Sequence, residues 1–86
     1  MTATRHRRHA TDLKIRLAEA YLNRGLAHSL KGQPEEAISD FDKALEVKPG
    51  YAEAYAGRGA AYVQMAQPDQ AISDLNKALL GFTKLE

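Results

Sequence analysis

Cysteine is absent from this 86-residue chain. Its absence excludes disulfide staples, thiolate metal sites and a cysteine nucleophile, and leaves the redox compartment open. No apolar run approaches the roughly 20 residues needed to cross a bilayer, so no membrane span is expected. The basic residues after Met1 are not followed by the apolar stretch of a secretory signal, and the expected location is the cytoplasm. There is no glycine-rich phosphate loop and no spaced set of metal ligands. Asp40 and Asp42 cannot act as a catalytic pair, because residues two apart diverge on a helix. Neither an enzyme nor a cofactor is expected.

Net charge is nearly absent too, at +1, but it is unevenly spread. Arg5, Arg7, Arg8, Lys14 and Arg16 face only Asp12 in residues 1–17, a net of +4. Residues 18–86 carry seven Lys and Arg against ten Asp and Glu, a net of −3. A basic leader thus precedes a mildly acidic body. A nucleic-acid binder would more often carry its positive charge on the folded surface, which argues against that partner. His6 and His9 could share a helix face but have no third ligand nearby, so no metal is expected.

What is present is a repeat. Ala18–Tyr51 slid by 34 residues meets Ala52–Leu85 with 16 identities, including AEAY, Arg-Gly, Gln-Pro, AISD and KAL. A fixed period of this length marks stacked helical hairpins. The expected fold is all-α: antiparallel helix–turn–helix repeats stacked as a short right-handed α-solenoid. Residues 1–11 read as a flexible basic leader and 12–86 as the repeat domain, with repeat one at 18–51 and repeat two at 52–85.

Local chemistry places the helices. Thr11 can cap a first helix running from Asp12 to Leu30, with Leu13, Leu17, Ala20 or Tyr21, Ala27 and Leu30 as its apolar face. Gly32 suits a left-handed helix end, and Pro34 suits a first-turn position. The second helix should bury Ala37, Ile38, Phe41, Ala44 and Leu45, with Asp40, Asp42, Lys43 and Glu46 largely outside. Pro49-Gly50 ends it. Helix three is expected over Ala52–Ala66 and helix four over Pro68–Leu80, ended by Gly81. Helix four should bury Ala71, Ile72, Leu75, Ala78 and Leu79. Ala66 stands where the first copy has Gly32 and would take a left-handed backbone less easily. Gly25 and Gly59 lie within helices, where glycine costs roughly 1 kcal/mol against alanine. Close helix approach, with Ala37 and Ala71 opposite, would explain them.

These positions resemble the tetratricopeptide-repeat family. In the first copy the family's signature residues are Tyr21, Gly25, His28, Ala37, Phe41, Ala44 and Pro49. In the second they are Tyr55, Gly59, Tyr62, Ala71, Leu75, Ala78 and Thr83, with His28, Leu75 and Thr83 departing from the usual types. Arg24 and Arg58 replace a common leucine, and their heads are expected to reach Asp40 or Asp74. The resemblance implies a non-catalytic interaction module whose concave face is lined by the first helix of each pair. Its expected protein-binding residues are Glu19, Leu22, Asn23, Leu26, Leu30, Glu53, Ala56, Ala60 and Val63. A subclass that clamps a partner's C-terminal carboxylate uses Lys and Asn where Leu22 and Leu26 stand, so that specificity is not expected. The leucines point instead to an apolar helix or extended peptide framed by Glu19 and Glu53. Leu13, Leu17, Leu79, Leu80 and Phe82 would be bare at the ends of a two-repeat stack and suggest self-association. The alternative function is a basic-arm tether to an anionic surface, nucleic acid or lipid, with the repeats as scaffold.

Overall fold

Two antiparallel hairpins lie side by side in the computed structural model, which describes the backbone of residues 2–84 and the side chains of residues 11–84. The helices are α1 (Thr2–Leu30), α2 (Pro34–Val47), α3 (Ala52–Gln64) and α4 (Pro68–Thr83). Within each repeat, α1 packs on α2 and α3 on α4. The second layer of contact joins the repeats, α2 against α3, with a smaller contact between α1 and α3.

Helix α1 begins ten residues before the expected Asp12, so Thr11 lies inside the helix rather than capping it. The reason is compositional. The stretch TATRHRRHA has no glycine or proline, and its alanines and arginines favour helix, so the packed turns near Ala18 propagate backwards. At 1.5 Å per residue the 29-residue helix is about 43 Å long, and it dominates the 51 Å long axis of the molecule.

The two turns are built alike. Gly32 has φ +75° and Ala66 has φ +57°. In the first turn Gln33 N–H donates to the His28 carbonyl at 2.9 Å; in the second, Gln67 N–H donates to Tyr62 at 2.9 Å. These bonds satisfy carbonyls that a helix end leaves open. Ala66 therefore holds a left-handed conformation that is strained for a residue with a Cβ. Gly50, at φ +79°, makes the turn between repeats.

Phe41 is fully buried and sits between two glycines. A Cβ on Gly25 would lie 2.7 Å from its Cε1, and one on Gly57 would lie 2.6 Å from its Cζ. One ring thus wedges α2 against both α1 and α3. Around it lie Ala18, Leu22, Ala37, Ala44, Tyr51, Ala54 and Ala61. In the second repeat Leu75 takes the ring's place, and Gly59 admits its Cγ and approaches the Ala71 carbonyl.

Several expectations are corrected. Of the apolar face expected on α1, Ala20, Ala27 and Leu30 are exposed, along with Leu13 and Leu17, whose exposure a two-repeat stack already implied; the helix buries Ala18, Leu22 and Gly25. Among the described residues no helix packs against Leu13, Leu17, Ala20 and Ala27. Ile72 and Leu79 of α4 are likewise exposed, whereas Ile38 and Leu45 of α2 pack against the core. Asp40 and Asp74 are buried, not outward. Helix α4 runs through Gly81 to Thr83, whose hydroxyl donates to the Leu80 carbonyl at 3.0 Å. Gly81 serves close approach rather than termination, since a Cβ there would lie 2.8 Å from that of Ala52.

Two stability outcomes follow for urea unfolding. Gly25→Leu drives a side chain into the Phe41 ring and costs about 1–3 kcal/mol. Ala66→Gly relieves the left-handed alanine and stabilises by about 1 kcal/mol.

Candidate functional site

The first helices of the two repeats, α1 and α3, carry the candidate protein-binding surface. On α1, residues Glu19, Asn23, Leu26 and Leu30 fall within an arc of roughly 60°, given 100° of turn per residue. All four are exposed, Leu30 at 90%. On α3, Glu53, Ala60 and Val63 are exposed and Ala56 is half-buried. Leu22 is corrected: at 8% exposure it belongs to the core and underlies the surface instead of forming it. The proposed self-association residues Leu13, Leu17, Leu79, Leu80 and Phe82 are all exposed. The side chains of Arg5, Arg7, Arg8, His6 and His9 lie outside the described residues.

The arginine heads reach the aspartates as expected. Arg24 donates from Nε and Nη2 to both carboxylate oxygens of Asp40, at 2.7 and 2.8 Å. Arg58 holds Asp74 in the same fork, at 2.7 and 2.9 Å. Its Nη1 also donates to Asp42 of the preceding repeat at 2.7 Å. Arg58 is therefore a clamp between repeats, an arrangement that sequence reasoning missed. The invariant 16-residue spacing from each arginine to its own aspartate was visible. The same offset of 16 separates Asp42 from Arg58, in the opposite chain direction. Neighbouring tyrosines brace the arginines, with Arg24 over the Tyr21 ring and Arg58 over Tyr55.

His28 is a packed residue. Its Nδ1 lies 2.9 Å from Gln33 Oε1, and its Nε2 lies 3.7 Å from Asp40. Among the described residues no His, Cys, Asp and Glu group could hold a metal ion, and no helix is long and apolar enough to cross a membrane.

Two shallow clefts are lined by residues other than the exposed leucines of α1. One, of about 270 Å³, is lined by Lys48, Tyr51, Glu53 and Phe82 at the joint between repeats. The other, of about 150 Å³, lies between Ile15 of α1 and Val47 of α2. On the concave face the exposed candidate residues lie on two neighbouring helices, α1 and α3. A ligand there would be a chain lying across the helices.

The Arg24 hydrogen bonds hold the Asp40 carboxyl below its ordinary range, against the opposing effect of burial. A depressed folded value means that the stabilisation is present above the unfolded carboxyl pKa and is lost as pH falls through the folded value. Thermal midpoints should therefore drop below about pH 4. Asp40→Asn should flatten that drop while lowering the midpoint at neutral pH, which a pH series of melts would show.

Comparison with known proteins agrees with this geometry. Tetratricopeptide-repeat family patterns match residues 18–51 and 52–80. Two crystal structures of MamA superpose on the chain with TM-scores of 0.73 and 0.70, each at 34% identity over 78% of this chain. That overlap covers only 39% and 37% of the MamA chains, so this chain spans well under half their length. No curated protein matches the chain in sequence.

Proposed function

The chain belongs to the tetratricopeptide-repeat family, whose stacked hairpins are non-catalytic protein-binding scaffolds, and from that premise we propose that it binds an apolar helix or extended peptide across α1 and α3. The observation that carries the proposal is the exposed strip of Leu26, Leu30 and Val63. Leucines bare over successive turns stand out on a soluble surface and mark contact sites. Glu19 and Glu53 flank the strip and are exposed, and the repeat body is net acidic. The matching partner is apolar along its contact edge and basic at its margins. The compartment that goes with this reading is the cytoplasm, which fractionation of gently lysed cells would check.

Selection of a random peptide display library on the immobilised chain tests the reading. Enriched peptides should carry spaced aliphatic residues with Lys or Arg beside them. Leu26→Ser combined with Val63→Ser should weaken a synthesised winner by at least roughly tenfold, about 1.4 kcal/mol, with the melting midpoint unchanged. Enrichment of no sequence class, or binding indifferent to both substitutions, would contradict it.

A further inference from the structure

The joint between the two repeats has a counterpart in the outer faces of α1 and α4, which are exposed among the described residues. In the joint, α2 packs on Ala54, Gly57 and Ala61 of α3 and on Tyr51 just before it, all buried. Thirty-four residues earlier the same face of α1 carries Leu17, Ala20, Asn23 and Ala27, all exposed. Thirty-four residues after α2, the outer face of α4 exposes Ile72 at 58% and Leu79 at 62%, beside the exposed Asn76. Each end face is a repeat-equivalent of one half of a joint that the structure already contains.

The substitutions at the two ends are matched in pairs. In the joint Phe41 needs the hollow of Gly57. At the ends, the shorter Leu75 replaces Phe41 and the larger Asn23 replaces Gly57. Lys48 lies over the Tyr51 ring at 4.3 Å. At the ends that cation–ring pair becomes Phe82 with Leu17, an apolar pair. Arg58 Nη1 bonds Asp42. Its equivalent, Arg24, uses Nε and Nη2 on Asp40 and keeps its side chain 60% exposed, against 21% for Arg58. The residue it would meet is Asn76, whose amide oxygen can accept from Nη1. Ala20 and Ala27 are identical to Ala54 and Ala61, so the close approach of backbones is kept.

We propose that the chain assembles with copies of itself head to tail, the outer face of α4 in one copy docking on the outer face of α1 in the next and reproducing the α2–α3 joint. The two faces differ, so the contact is heterologous and does not close at two copies. Growth continues with concentration until a ring closes or a filament forms. The α1 face adjoins the peptide-binding residues at Asn23 but does not include Leu26 or Val63, so substitutions at those two positions separate assembly from peptide binding.

Sedimentation velocity of the full chain over a wide concentration range tests this. The wild-type mass should rise past the dimer. Ala27→Glu should block the α1 face and Leu79→Glu the α4 face, each leaving a folded monomer because both positions are exposed. Mixed together, the two variants should form a 1:1 dimer and stop, since each keeps one working face. Asn76→Asp restores the carboxylate of the internal clamp and should tighten association roughly two- to fivefold at low salt, while Asn76→Lys should weaken it. Leu26→Ser with Val63→Ser should leave the mass profile unchanged. A wild-type monomer at every concentration would overturn the proposal. So would a closed dimer that Leu79→Glu abolishes and Ala27→Glu leaves intact, which would show a two-fold α4–α4 contact.

Discussion

The structure depends on how closely α2 can approach the helices on either side of it. Phe41 sets that distance, because its ring occupies the space that a Cβ on Gly25 or Gly57 would need. Once the ring is seated, only small residues fit around it, and the core is accordingly rich in alanine. Each alanine buries little surface, so a stack of this kind gains its stability from many short contacts rather than from large side chains. Such an architecture tolerates little added volume at the crossings.

The arginine–aspartate forks complement the wedge. Each fork buries a carboxylate that would be costly alone and gives it two charge-assisted hydrogen bonds. Arg58 adds a third bond that crosses the joint to Asp42. Dispersion at Phe41 fixes the spacing of the repeats, and the Arg58 clamp fixes their register. Because the contacts at the joint come from residues that recur every 34 positions, the geometry can be repeated by any further unit presenting the same faces. The same regularity places Leu26 and its repeat-equivalent Ala60 at matching positions on α1 and α3, both exposed.

Much of this was legible in the residues. The period gave the hairpins, Gly32 and Pro34 placed the turn, and the mid-helix glycines pointed to close crossings. The pairing of Arg24 with Asp40 could be read as well, although the same pattern suggested an outward Asp40. Other features depended on neighbours that a linear pattern cannot supply. Helix α1 has apolar residues on two faces, Leu13, Leu17, Ala20 and Ala27 on one and Ala18, Leu22 and Gly25 on the other. Periodicity alone cannot say which face has a helix to cover it. Ile72 and Leu79 carry the same pattern as Ile38 and Leu45, yet only the latter have α3 beside them. The candidate site was read in the same way, and it took Leu22 as surface where the helix buries it. The extension of α1 to Thr2 reflects the absence of any residue that would stop it, which is a weaker signal than a cap.

The central claim is that a peptide-binding strip on α1 and α3 and a pair of assembly faces on α1 and α4 act independently. Amide chemical shifts followed while the pure protein is concentrated test it most directly. The account predicts changes at Ala20, Asn23 and Ala27 of α1 and at Ile72, Asn76 and Leu79 of α4, with Ala60 and Val63 of α3 unmoved. Shifts centred on Leu26, Leu30 and Val63, with the α4 face silent, would contradict it.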